Sequence, residues 1–220
     1  MTLALFDAPL PRMAELDPAR CRVHSVNYET VKIVLRDAHY IGTPGATSVA
    51  LGMYVDDVIA GVITFGTIPR NNASAICGHE WAPRVMELTR LALYHWAPKN
   101  SESWFIGASL HTLRSLRPDI RILVSYADES VGHVGTIYQA TNWIYTGAST
   151  NDYVYVTNDG EVLHPRTTGR RRGDLPPGKW QPTPAKHRYI KFIGSRSDRR
   201  SLTRQLRWPA LAYPRLRAAA

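Results

Sequence analysis

Apolar positions fall into short runs that alternate between helical and extended spacing. Over residues 26–38, Val31, Val34 and Leu35 recur at helical spacing, just ahead of the polar pair His39-Tyr40. Residues 48–68 read as a hairpin: SVALGMYV, a turn at Asp56-Asp57, then VIAGVITFGTI. Its poor alternation predicts cover on both faces. Residues 69–84, with Pro69, Asn71, Asn72, Gly78 and Pro83, read as loop. VMELTRLALYH (85–95) predicts a strand. A helix follows, with Ile106, Leu110, Leu113 and Arg117 one turn apart and Pro118 ending it. IRILVSYAD (120–128) predicts a strand buried on both faces. GHVGTIYQATNWI (132–144) predicts a helix, YTG a turn, and DYVYV and VLH strands around Asn158-Asp159-Gly160. HRYIKFIG (187–194) predicts a last strand, followed by a basic helical piece, RSDRRSLTRQL. Helix, hairpin, strand, helix, strand, helix, strand, strand in that order make a mixed α/β sheet with helices as crossovers.

Composition narrows the class. At 220 residues and 44% hydrophobic, the chain can build one packed domain. No run of eighteen apolar residues predicts a membrane span, and the first residues lack the pattern of a signal peptide. Two cysteines, Cys21 and Cys77, with no CxxC, argue against a disulfide framework or structural zinc and fit a reducing cytoplasm.

The net charge of +9 is unevenly placed. Residues 1–163 carry 12 Lys and Arg against 16 Asp and Glu, a net of −4, whereas residues 164–220 carry 15 against 2, a net of +13. In that last quarter Arg outnumbers Lys twelve to three and aromatic residues are interleaved. Guanidinium groups fork onto phosphates, so the segment is expected to meet nucleic acid. A solubilising tail or a membrane-surface patch would carry the same charge.

Two loop–element junctions carry candidate chemistry. Pro98-Lys99-Asn100-Ser101-Glu102-Ser103 joins a buried strand to a helix. Asn100 or Ser101 can cap that helix, and its first-turn amides, with Lys99 and the Ser103 hydroxyl, suit a phosphate. Ordinary capping is the competing reading, and no GxGxxG or Walker motif supports a nucleotide. Asp128 closes the next strand at the same sheet edge, where α/β proteins bind ligands. His39, Tyr40 and Asp128 offer the N and O donors that suit an iron ion, if the fold brings them together.

Those same residues carry a family likeness. ELTRLALYHWAPKNSESWFIGASL (87–110), SYAD (125–128) and GHVGTIYQATNWIYTG (132–147), with KHRYIKFIG (186–194) and the later RQLRWPALAYP, resemble the phage Mu Mom protein family over roughly residues 25–215. That family is a divergent relative of the GCN5-type acetyltransferase (GNAT) fold. The resemblance implies a surface lead-in over 1–24, an acetyltransferase-like domain over 25–163, and a basic DNA-binding part over 164–220 packed on the same domain. It implies acetyl-CoA as cofactor, its pyrophosphate at the strand–loop–helix, where PKNSES replaces the usual Gly-rich loop. It also implies conversion of adenine in DNA to N6-(carbamoylmethyl)adenine, which protects phage DNA from restriction in the bacterial cytoplasm, whether the chain is phage or prophage encoded.

Carried over residue by residue, Arg90 and Ser103 match positions tied to coenzyme binding and activity. Tyr138 matches a catalytic tyrosine, able to donate a proton or hold the thioester. His39, Tyr40 and Asp128 match an iron-binding and catalytic cluster, with Tyr40 and Asp128 in both roles. The product bonds adenine nitrogen to the former methyl carbon, which is no electrophile, so a redox-active metal is a reasonable demand. Arg170, Arg171, Arg172, Lys179, Lys186 and Arg188 are expected to grip the phosphates of double-stranded DNA, with Trp180 or Trp208 available to stack on an extruded base. A homodimer is allowed for. The rival readings are an ordinary N-acetyltransferase acting on a small-molecule or protein amine, and a non-catalytic DNA-binding protein.

Overall fold

The computed structural model describes residues 15–129, 132–149, 153–163 and 175–215. Seven strands form one sheet in the order β1-β2-β3-β4-β5-β10-β6. They are β1 (Cys21–Ser25), β2 (Val49–Val55), β3 (Val58–Gly66), β4 (Val85–Leu93), β5 (Ile122–Ala127), β6 (Ile144–Ala148) and β10 (His187–Phe192). β7 (Tyr153–Thr157), β8 (Val162–Leu163) and β9 (Gly178–Pro182) form a separate three-stranded sheet. Among the described residues five α-helices accompany them: α1 (Tyr28–Ala38), α2 (Arg70–Cys77), α3 (Ser101–Leu116), α4 (Thr136–Ala140) and α5 (Arg196–Gln205). The architecture is mixed α/β around a central sheet, as the element order predicts.

Local chemistry accounts for most of these elements. Asp56 and Asp57 take positive φ, 47° and 65°, as a two-residue hairpin turn requires. Seven consecutive buried residues in β3 match the predicted two-sided cover. One face of the sheet carries α3, whose Phe105, Ile106 and Leu113 pack with Leu51, Phe65, Leu88 and Leu123. The other face carries α1 over Val62 and Ala92, and α2 and α5 over Val85, Ile122, Val124 and Ile190.

Several elements differ from the reading above. Residues 70–77 are helical rather than loop, because Ala73, Ile76 and Cys77 turn one buried face to the core. The helix predicted over 132–144 shrinks to Thr136–Ala140, since Gly132 and Gly135 take φ +78° and Asn142 takes +56°. The residues after it pair with β10 as strand β6 and do not turn there. β1 and β9 have no counterpart in the sequence reading. No described helix is long and apolar enough to cross a membrane. Cys21 and Cys77 are buried and free.

The sheet comes apart at one place. All neighbouring strands run antiparallel except β4 and β5, whose parallel ladder spans only Val85–Glu87 opposite Ile122–Val124. β4 continues to Leu93 and β5 to Ala127 without pairing to each other. The cause lies on the other edge of β4. There the β3 register jumps from Thr64 opposite Arg90 to Phe65 opposite Leu88, leaving Thr89 as an extra residue. Such a bulge bends its strand and increases the local twist. Thr89 Oγ1 donates to the Thr64 carbonyl (3.2 Å) and meets Thr64 Oγ1 (2.8 Å), which pins the bulge. Bent there, β4 leaves β5 and opens a cleft.

Candidate functional site

A cavity of about 460 Å3 fills this cleft. Its walls are β4 from Glu87 to Leu93, β5 from Ser125 onward to Asp128, the end of α1 with His39 and Tyr40, Gly132–Tyr138 leading into α4, Glu102 in the first turn of α3, and Lys186. His39, Tyr40, Arg90, Asp128 and Tyr138, far apart in sequence, therefore share one cavity, and the start of α3 opens on it.

Tyr138 forms the floor. Its ring is buried against Trp143 and Tyr189. Where the backbone ladder stops, the buried Ser125 Oγ is a donor within reach of both the Tyr138 hydroxyl oxygen (2.7 Å) and the Leu88 carbonyl (2.9 Å), its one proton serving either. Burial pushes the Tyr138 phenol up to about 12, so near neutral pH it is a permanent hydrogen-bond donor and not a base.

The mouth is polar. Asp128 Oδ2 lies 2.9 Å from Lys186 Nζ. Tyr40 is exposed, stacks on His39 at 4.6 Å and meets His133 edge-on at 5.7 Å. Burial, then the charge of Arg90 and the neighbouring His133, lower His39 to about 4. His39 is thus neutral at pH 7. Its Nδ1 accepts the Ile41 N–H at 3.1 Å, which puts the remaining ring proton on Nε2. Arg90 Nε donates to the Thr43 carbonyl (3.0 Å) and Nη1 to the Thr89 carbonyl (2.7 Å), so this guanidinium ties the loop after α1 to the bulge. Burial lowers its pKa.

These donors do not fit an iron ion. The His39 lone pair is taken by the Ile41 amide, the Asp128 carboxylate faces an ammonium group, and no three His, Cys, Asp or Glu side chains converge among the described residues. The expected ligand set of His39, Tyr40 and Asp128 shares the cavity without forming a coordination site.

The start of α3 does fit an anion. Asn100 occupies the N-cap position with φ +68° and makes no side-chain cap bond, against the capping expected of Asn100 or Ser101. α1 and α5, by contrast, are capped by Asn27 and Ser195. Ser101 is 1% exposed, and its Oγ has no hydrogen-bond partner among the described residues. The Ser103 hydroxyl donates to the Asn100 carbonyl at 3.0 Å, and Lys99 is exposed beside them. Uncapped first-turn amides with an unpartnered buried hydroxyl make a set of donors for phosphate oxygens.

The expected DNA contacts scatter. Lys186 is in the cavity beside Asp128. Arg188 lies 3.5 Å from the centre of the Trp208 ring, and its Nε and Nη2 donate to Thr146 Oγ1 and the Thr146 carbonyl. Lys179 sits on β9, exposed. Arg170, Arg171 and Arg172 lie outside the described residues. Trp180 stacks edge-on with Tyr155 at 5.3 Å. The sequence reading missed His133, Ser125 and Glu87 as cavity residues. The signal for His133 was its place one residue after Gly132, at the end of a buried strand; Ser125 and Glu87 gave none.

The family model for the Mom protein family matches residues 20–215. The chain is 29% identical over 194 residues to methylcarbamoylase mom of Escherichia phage Mu, covering 83% of this chain and 80% of that protein. Among solved structures it is similar to a GNAT-family acetyltransferase from Streptococcus pneumoniae, at 10% identity and TM-score 0.46, over 79% of this chain and 99% of that one. It is also similar to the acetyltransferase yncA of Salmonella typhimurium with its cofactor acetyl-CoA, at 8% identity and TM-score 0.45, over 81% and 96%.

Proposed function

This chain belongs to the Mom protein family, and from that premise we propose that it is a transferase modifying adenine in DNA with a group drawn from acetyl-CoA, the carbamoylmethyl group at N6 being the finer reading. The name of the phage Mu relative, methylcarbamoylase, supports that group. The observation that carries the proposal is one cavity in the opened β4–β5 cleft, lined both by Glu102 in the first turn of the uncapped α3 and by the polar cluster at Asp128.

In this reading the amides of Glu102 and Ser103, the Ser101 hydroxyl and Lys99 hold the pyrophosphate of the coenzyme. The unpaired edge of β4 beyond Glu87 offers backbone groups to its pantetheine arm. Acetyl-CoA supplies the thioester and its two carbons; forming the bond from N6 breaks a C–H bond of the methyl group and takes a two-electron oxidant, and amidation of the thioester takes ammonia or an amide donor and releases coenzyme A, both co-reactants coming from solution. With the Ser125 hydroxyl donating to the phenol oxygen, the proton of the always-protonated Tyr138 is free to be donated to the thioester oxygen. At the mouth, Asp128 accepts from the exocyclic amine of an extruded adenine while Lys186 holds the carboxylate in place. Arg90 keeps the His39-Tyr40 loop folded over the opening. No step is assigned to iron. Lys179, with Arg170, Arg171 and Arg172, is proposed to contact DNA phosphates, and Lys186 and Arg188 to act at and beside the mouth.

Nucleoside mass spectrometry of DNA from expressing cells tests the proposal. A modified deoxyadenosine is expected with the intact chain and is expected to vanish with Asp128→Asn. Unmodified DNA together with newly acetylated amines would instead identify an ordinary N-acetyltransferase.

A further inference from the structure

The cations expected to meet DNA are partly engaged inside the protein, whereas α5 carries cations that are not. Arg196, Arg200 and Arg204 stand at i, i+4 and i+8 on one exposed face, with Arg199 and Arg207 beside them. None of the five is paired with a carboxylate among the described residues. The one acidic residue of the helix, Asp198, is used in the capping box with Ser195 and faces Arg121. Like charges one turn apart destabilise a helix, so the stripe is unfavourable until an anion covers it.

The stripe also has a direction. α5 starts just past the end of β10 and runs back along it. Gln205 accepts from Trp81 Nε1 at 2.8 Å, and Trp208 lies under Arg188, the second residue of β10. Lys186, two residues before Arg188, lines the cavity. The arginines therefore climb from the far edge of the sheet towards the cavity edge. At the far edge Arg199 borders a cleft of about 260 Å3 that is also lined by Arg114 and Lys191 and by no carboxylate. Arg196 to Arg204 spans about 12 Å at 1.5 Å per residue, which is the axial length of three to four base pairs at about 3.4 Å each.

We propose that α5 is the helix that docks duplex DNA, Arg196, Arg200 and Arg204 contacting successive phosphates so that the target base lies over the cavity. The proposal rests on the DNA-modifying reading above. A membrane surface fits less well: the helix buries its one apolar residue, Leu202, in the core and exposes only Arg, Ser and Thr.

The test uses the full chain and the triple variant R196Q/R200Q/R204Q. Anisotropy of a short labelled duplex is followed as salt rises. Each lost phosphate contact lowers the steepness of log K against log salt by about 0.9, so the variant's slope is expected to fall by about 2.7 and its affinity at 0.1 M salt by about 500-fold. Stabilisation by acetyl-CoA against heat is expected to match the parent chain, which reports an intact fold and cavity. A folded variant with an unchanged slope overturns the docking helix and, if the parent chain still modifies deoxyadenosine, leaves the DNA substrate standing. A parent chain that binds no duplex overturns both. Duplex binding kept by the variant while binding to phosphatidylserine vesicles is lost overturns the docking helix in favour of a membrane surface.

Discussion

Gly135 is the hinge on which the cavity floor turns, and replacing it with alanine gives a graded prediction. Its φ of +78° is a left-handed conformation, in which a non-glycine residue costs about 1–2 kcal/mol. A Cβ built there would lie 2.4 Å from Tyr189 Cε2, 2.7 Å from Cζ and 2.9 Å from the hydroxyl. That ring cannot retreat: Tyr189 is 0% exposed, its hydroxyl donates to the Val134 carbonyl, and Gln139 Nε2 donates to it at 3.2 Å. Overpacking of this kind adds about 1–3 kcal/mol. Gly135→Ala should therefore cost about 3 kcal/mol in all, or about 6–12 °C in Tm for a chain of this size. Gly132 is the internal control. Its φ is also +78°, but nothing lies within 4 Å of its Cβ position, so Gly132→Ala should lose only the strain, about 1–2 kcal/mol and about 2–8 °C. Calorimetry on both variants separates the two effects. Because Gly135 immediately precedes the helix carrying Tyr138, its variant should also lose DNA modification. Equal falls in Tm for the two variants would refute the reasoning about Tyr189.

Three further outcomes follow from the site. Ser101→Ala removes a buried hydroxyl that has no partner, so stability should hold or rise while acetyl-CoA affinity falls about tenfold, one hydrogen bond to a charged group; unchanged affinity by calorimetric titration would count against the phosphate site. The His39 imidazole, lowered to about 4 against an ordinary 6.5, should show no NMR titration between pH 5.5 and 8. The stability it contributes is present above pH 6.5 and is lost as pH falls from 6.5 towards 4, a loss that His39→Gln should remove; a midpoint near 6.5 would contradict the buried neutral ring. Tyr138, raised to about 12 from 10, contributes stability fully present below pH 10 and lost as pH rises from 10 through 12, and Tyr138→Phe should flatten that alkaline fall.

The parts legible in the sequence were those specified locally. The Asp56-Asp57 turn, the face of α3 at Ile106 and Leu113, and the apolar run of β5 each carry their own signal. α2 was hidden by Pro69, Asn71 and Asn72, although Ala73, Ile76 and Cys77 show the helical spacing. β6 was hidden because Gly147, which looks like turn chemistry, sits inside the strand. The cavity residues His39, Tyr40, Arg90, Asp128 and Tyr138 could be named one at a time, but their convergence depends on the Thr89 bulge, a register jump between two strands that no single run of residues encodes. Charge was legible as a total and not as a direction: Lys186 turns inward to Asp128, Arg188 stacks on Trp208, and α5 carries the outward arginines.

The most direct measurement supplies acetyl-CoA labelled with 13C at both carbons to the full-length protein, with duplex DNA and cell extract, and then weighs the released nucleosides. A deoxyadenosine adduct carrying both labelled carbons, absent with Asp128→Asn, is the expected result. Labelled carbon found only on extract amines, with deoxyadenosine unchanged, would contradict the assignment of this cavity to the modification of DNA.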